Sequence, residues 1–173
     1  MGAAAALEGI ARGWHVTALT RNAAKALLLR EDGIETVVAD LASADWHGKI
    51  AGGAEYVLNC VSSGGGGVEG YRHSYLAGME SILAWTQRAG PVGTLVYTGS
   101  TSVYPQGGGV TVDENAPTHE TAGERPQVLL ATEERLRAAT EACRRWFVLR
   151  LAGIYGPGRH HLLDQVRTGE VAG

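Results

Sequence analysis

The chain has 173 residues, of which 45% are hydrophobic and 19% charged, enough apolar mass to bury one core of ordinary size. A formal charge of -3 and an isoelectric point near 6.1 leave no basic stripe for nucleic acid, and no apolar run approaches the roughly 18 residues of a membrane-crossing helix. Cys60 and Cys143 lie in apolar runs without metal-ligand spacing, and the N-terminal alanines lack the charged start and cleavage site of a signal peptide, so a reducing cytoplasm is the expected setting.

In chain order, Leu7, Ile10, Ala11 and Trp14 recur at helical spacing, so residues 3 to 12 read as a helix stopped by Gly13. His15 to Thr20 then switches to a short apolar run rich in β-branched residues, a strand. Asn22 can cap a helix through Leu29 that stops near Gly33. Residues 35 to 40 and 54 to 61 read as strands, with a weak helix or loop over 43 to 50 between them. After the loop SSGGGG, residues 68 to 89 carry Tyr71, Tyr75, Met79, Ile82, Leu83 and Thr86 at steps of three and four, the longest predicted helix, ended by Gly90-Pro91. Residues 93 to 100 form a buried strand, 105 to 124 a polar loop, and Pro126 suits a helix first turn. Leu129, Leu136, Ala139 and Cys143 mark the inner face of that helix, over 126 to 144, and residues 146 to 156 form a last strand and its exit loop.

Apolar strands alternating with helices through Gly-rich turns predict an α/β, doubly wound, mostly parallel sheet covered on both faces. Ligands bind such sheets beyond the carboxyl ends of the strands. The stretches of interest are therefore Arg21-Asn22, Asp40-Leu41, Ser62-Ser63, Ser100 to Tyr104, and Gly153 to Arg159.

A dinucleotide site needs glycine where a strand turns into the first helix, because the pyrophosphate approaches backbone N–H groups there. Gly2 is the one candidate: either the last glycine of G-x-G-x-x-G, with the first two glycines and the first strand upstream of Met1, or simply part of a start. Arg21 stands where an adenosine ribose is read and would meet the 2′-phosphate of NADP, or is a solvated arginine beside a helix cap. Asp40 either accepts an adenine amino group or caps the following turn. The hydroxyl run TGSTSVY (98 to 104) either offers a hydrogen bond to a substrate oxygen or is an ordinary Ser/Thr-rich turn. His160-His161 point apart on a helix and have no acidic partner motif, so no metal site is predicted.

Taken together, VYTGSTSVYPQ (96 to 106), VDENAP (112 to 117) and VLRLAGIYGPGR (148 to 159), in this order behind a βα series, resemble the extended short-chain dehydrogenase/reductase superfamily. More narrowly, they resemble its NAD(P)-dependent epimerase/dehydratase group, which acts on nucleotide-linked sugars. The resemblance implies a Rossmann-like fold whose first strand is missing, and a cofactor that is NADP by preference or NAD. It matches Ser100 to the catalytic hydroxyl, Cys60, Val61 and Ser62 to the segment along the cofactor, Asp40 and Leu41 to the adenine contact, and Gly153, Ile154 and Tyr155 to the segment beside the nicotinamide. Gly2, Arg21 and Asn22 complete the implied cofactor set.

One departure stands out. The superfamily's acid/base pair is a Tyr with a Lys four residues later, the Lys lowering the tyrosine pKa. Counted back from Glu133, those positions hold Arg125 and Leu129; no Tyr occurs between Tyr104 and Tyr155, and the only lysines are Lys25 and Lys49. An atypical branch of the superfamily shares this loss, and the sequence is most similar to that branch. The resemblance further implies an incomplete dinucleotide-binding domain over 1 to 173 without most of the C-terminal substrate domain, a nucleotide-sugar substrate, and a homodimer through helices 68–89 and 126–144. A non-catalytic dinucleotide-binding or regulatory scaffold, or an incomplete gene product, is the alternative reading.

Overall fold

The computed structural model describes residues 1–118, 123–156 and 161–169. Helix α1 (Gly2–Ala11) leads to strand β1 (Thr17–Thr20), helix α2 (Ala23–Glu31) and strand β2 (Glu35–Val38). Gly13 and Gly33 carry the two chain reversals with φ of +77° and +80°, a conformation other residues adopt only with strain. Asn22 caps α2 as its sequence position predicts, its Oδ1 accepting the Lys25 N–H at 2.9 Å. Residues 43 to 50 form turns rather than a helix.

Strand β3 (Tyr56–Asn59) is followed by the glycine loop and an unbroken helical run of three parts: α3 (Gly67–Tyr71), a π-helical segment over Arg72–Ala77, and α4 (Gly78–Ala89). The predicted single helix over 68 to 89 is thus widened at its middle, a feature that side-chain periodicity does not show. Strand β4 (Val92–Ser100), a short 3₁₀ turn (Thr101–Val103), helix α5 (Glu124–Ala138), strand β5 (Cys143–Leu151) and helix α6 (His161–Thr168) complete the chain. Two boundaries differ from the sequence reading. Helix α5 ends at Ala138, and Cys143 opens β5 instead of closing a helix over 126 to 144; β5 accordingly begins three residues before the predicted 146, and after Leu151 the chain runs on as the predicted exit loop. Cys143 is still buried, which is why its apolar neighbourhood read equally well as a helix face.

All strand pairs are parallel, but they form two sheets, β1-β2 and β3-β4-β5. Among the described residues β1 and β3 share no backbone hydrogen bond. Side chains join the halves instead. One core runs from Val37 on β2 through Trp46, Met79, Ile82 and Trp85 to Leu95 and Tyr97 on β4 and Leu136 on α5, and Trp14 stacks on Tyr56 with ring centroids 5.2 Å apart.

The faces of the three-stranded sheet are unequal. Leu95, Tyr97 and Gly99 alternate toward α4 and α5, whereas the opposite face leaves Tyr56, Leu58, Phe147 and Leu149 between 39% and 53% exposed. The expectation of a sheet covered on both faces therefore holds for one face only. Helix α1 buries only Gly9, and α2 only Ala26.

Candidate functional site

The strand exits carry the predicted positions, and two pairs of these meet, Gly2 with Cys60 and Arg21 with Asp40. Helix α1 begins against the exit of β3: a Cβ built on Gly2 would lie 2.7 Å from Cys60 Sγ, so only glycine lets the two segments approach this closely. The start of α1 has no side-chain cap and no acidic residue in its first turn, so its N–H groups are uncommitted, the arrangement that accepts a phosphate. Cys60 is half-buried and burial pushes its thiol pKa up, against the smaller lowering effects of the N-terminal charge and its own backbone. That makes it a packing residue and not a thiolate. Val61 follows with its N–H directed to Asn59 Oδ1 at 3.4 Å.

At the exits of β1 and β2, Arg21 and Asp40 face each other, Nη1 to Oδ2 at 3.8 Å. Arg21 also reaches toward the glycine loop, its Nη2 lying 3.8 Å from where a Gly64 Cβ would be. Of the two sequence readings of Asp40, the turn cap is seen, together with a pairing that the sequence did not show. Its Oδ1 accepts the Ala42 N–H at 2.9 Å, capping the turn, while its Oδ2 pairs with Nε2 of His73 on the π-helical segment at 2.8 Å. Burial alone would raise the Asp40 pKa; the His73 bond, the Ala42 N–H and the charges of His73 and Arg21 together outweigh it and hold the carboxyl below its ordinary value.

The Asp40-Leu41 turn is fixed to the long helix from several directions. Leu41 packs where Gly78 has no side chain, its Cδ2 3.0 Å from a Cβ placed there. The Trp46 indole N–H donates to the Leu41 carbonyl at 3.0 Å, and Ser81 donates to the Ser43 carbonyl at 2.8 Å. The turn after β2 and helix α4 are thereby held in register.

Ser100 ends β4, and its Oγ accepts the Ser102 N–H at 3.1 Å, making the tight turn that the Ser/Thr-rich run also predicted. A hydroxyl oxygen that accepts still has its proton to donate. Arg125 lies on α5 with its guanidinium carbon 5.4 Å from the Tyr71 ring centroid, and Leu129 is 2% exposed in the core. Tyr71 and Tyr75 stand 5.0 Å apart between ring centroids. Burial raises the Tyr75 pKa, aided by Tyr71 and opposed by the Ser63 backbone. Gly153, Ile154 and Tyr155 follow the end of β5 after Ala152, with Ile154 39% and Tyr155 65% exposed. His160 lies outside the described residues, and among those described no group of His, Cys, Asp or Glu forms a metal site.

Sequence reasoning missed His73. Its spacing on the predicted helix carries no signal, because the contact with Asp40 depends on how that helix packs beside β2. It also missed the buried pair behind Ser100. Glu133 on α5 takes Arg150 of β5 in two bonds, 3.0 and 2.7 Å, and Arg137 at 2.9 Å, while Arg150 donates to the Tyr104 hydroxyl at 3.0 Å. Paired with that carboxylate, Arg150 has its pKa pushed further up. A groove of about 590 Å³ runs along β5 beside Tyr104, Arg137 and Arg150, and it contains none of the predicted cofactor residues.

No helix among the described residues is long and apolar enough to cross a membrane, and no curated protein matches the chain. Solved structures do. A UDP-galactose 4-epimerase is 18% identical with a TM-score of 0.77, covering 97% of this chain and 60% of its own. A putative NAD-dependent epimerase/dehydratase from Methylobacillus flagellatus is 25% identical with a TM-score of 0.69, over 97% and 56%. The UDP-glucuronic acid 4-epimerase from Bacillus cereus, solved in complex with NAD, is 16% identical with a TM-score of 0.72, over 96% and 58%. The chain thus spans little more than half the length of these proteins, with their α/β fold. Residues 1–168 match the model of the NAD-dependent epimerase/dehydratase family, and the chain belongs to that family.

Proposed function

We propose that these residues bind a nicotinamide dinucleotide, NADP in preference to NAD, as the cofactor part of an epimerase/dehydratase-like oxidoreductase of the atypical branch, with a nucleotide-sugar substrate. The observation that carries this reading is the meeting of three strand exits: the uncapped start of α1 at Gly2 against Cys60, and Arg21 opposite Asp40 beside the glycine loop. Gly2 and the first N–H groups of α1 would hold the pyrophosphate, Asp40 and Leu41 the adenine, and Arg21 with Asn22 the ribose 2′-phosphate. Cys60, Val61 and Ser62 would line the cofactor's path, and Gly153 to Tyr155 the nicotinamide. When bound, the cofactor supplies hydride exchange. Ser100 would donate its hydroxyl proton in a hydrogen bond to the substrate oxygen while its own oxygen stays tied to Ser102.

In the same proposal, residues 1–173 are the dinucleotide-binding part of a longer design, most of the substrate-binding part is not among them, and two copies pair through the helices 67–89 and 124–138. A second reading, a dinucleotide-binding scaffold without turnover, is favoured by Leu129, which is buried in the core, and by Arg125, which stands over the Tyr71 ring and brings no phenol hydroxyl to the position of the acid/base tyrosine.

Fluorescence titration with NADPH and NADH tests cofactor binding, and turnover with UDP-sugars then separates the two readings. NADPH is expected to bind more tightly, and Arg21→Ala to weaken NADPH about tenfold or more with little effect on NADH, the size of a lost charge-assisted hydrogen bond. Equal losses for both coenzymes would refute the role given to Arg21. Tight NADPH binding with no turnover would leave the scaffold reading.

A further inference from the structure

We propose that His73 is the second cation of a clamp for the cofactor's 2′-phosphate, with Asp40 holding His73 and Arg21 together until a phosphate takes its place. This rests on the NADP reading above and names a residue that neither the motifs nor the family resemblance single out.

The geometry is that of a guanidinium and an imidazole on one carboxylate oxygen. His73 Nε2 lies 2.8 Å and Arg21 Nη1 3.8 Å from the same Asp40 Oδ2, so the two donors stand within the reach of a single phosphate group. They come from different elements. Arg21 follows β1, Asp40 follows β2, and His73 sits on the π-helical segment beyond the glycine loop. All three side chains are partly open to solvent, at 52%, 34% and 51% respectively, so an incoming ligand can reach them.

The neighbouring charged and polar groups are partly committed elsewhere. Arg72, next to His73, is spent on Glu69 at 3.5 Å, and the Asp40 Oδ1 is held by the Ala42 N–H. Helix α2 begins two residues after Arg21 with no acidic residue in its first turn, so its positive end adds to the same field. A phosphate monoester carries about 1.5 to 2 negative charges near neutral pH against one for the carboxylate, and offers three strong acceptor oxygens. It therefore outcompetes Asp40 for the guanidinium fork and the His73 ring N–H together. A ribose with a free 2′-hydroxyl has nothing to draw them away, and for that ligand the Asp40–His73 pair stays closed. The pair thus discriminates between coenzymes by exchanging one anion for another.

A strap with only a mechanical role, tying the turn after β2 to the π segment, makes a different prediction. His73→Gln keeps a neutral hydrogen bond to Asp40 and loses the charge; His73→Arg keeps the charge. The measurements are dissociation constants of the full chain for NADPH and NADH, with 2′,5′-ADP and 5′-AMP as competitors that carry and lack the 2′-phosphate. His73→Gln is expected to weaken NADPH and 2′,5′-ADP by about tenfold, leave NADH and 5′-AMP within about twofold, and His73→Arg to restore the preference. Equal weakening of all four ligands would identify a strap and overturn the clamp, as would unchanged binding of all four. If the native chain prefers NADPH and His73→Gln keeps that preference, the clamp falls and the NADP reading stands. A native chain that favours NADH, or binds neither coenzyme, removes both.

Discussion

Glu133 shows how much one residue can hold. It is fully buried, yet its two carboxylate oxygens satisfy Arg150, which is 12% exposed, and Arg137 at the rim. Removing one partner of such a cluster leaves an uncompensated buried charge, at a cost of about 3–5 kcal/mol, comparable to the whole stability of a small domain. Glu133→Gln is accordingly expected to lower the denaturation midpoint steeply without changing the chain's shape; a shift below about 1 kcal/mol in urea unfolding would mean that Arg150 finds another partner. Strand β4 offers a contrast. Tyr97 is completely buried, and its hydroxyl has no hydrogen-bond partner among the described residues. Arg150 stands in a motif readable from the sequence, but its pairing with Glu133 was not readable there. Glu133 meets Arg150 only through the register of α5 on β5, and apolar spacing reports which face is inward without saying what polar group lies opposite.

Elements were legible where punctuation was strong. Gly13, Asn22, Gly33 and Gly90 each mark a boundary that the backbone confirms, because capping and left-handed turns are chemistry of the local chain. The π-helical segment and the end of α5 were not legible: the first needs an i to i+5 ladder that no side-chain period reveals, and the second lies in a run, Ala139 to Cys143, that suits helix or strand. Helix α1 permits a test of opposite signs. Alanine normally stabilises a helix relative to glycine by about 1 kcal/mol, yet at position 2 its methyl would stand 2.7 Å from the Cys60 sulfur. Gly2→Ala is therefore expected to lower the melting temperature, and Gly2→Ala with Cys60→Ala to recover most of the loss, a coupling that a double-mutant cycle reads directly. Stabilisation by Gly2→Ala alone would show that α1 does not rest on the exit of β3.

For the molecule as a whole, the parallel α/β order was readable from alternating periods. What composition could not convey is how the two half-sheets stay together. They share side chains, not backbone bonds, with the core confined to the face under α4 and α5. Unpaired edges and half-covered helices open more readily than a closed ladder. Hydrogen exchange should therefore protect β4 and its neighbours most, β1-β2 less, and α1 least. Uniform protection across both sheets would contradict a divided structure.

The stack of Trp14 on Tyr56 spans that division, and it gives the molecule an optical gauge of its own. Trp46 and Trp85 lie together in the core, 5.6 Å apart, and Trp146 stands on the outer strand. Trp14 alone of the four tryptophans stacks on a residue of the other half-sheet. Any event that spreads or draws in the two halves alters the polarity and quenching around that one indole, so its emission follows the width of the seam while the others report the core and the rim.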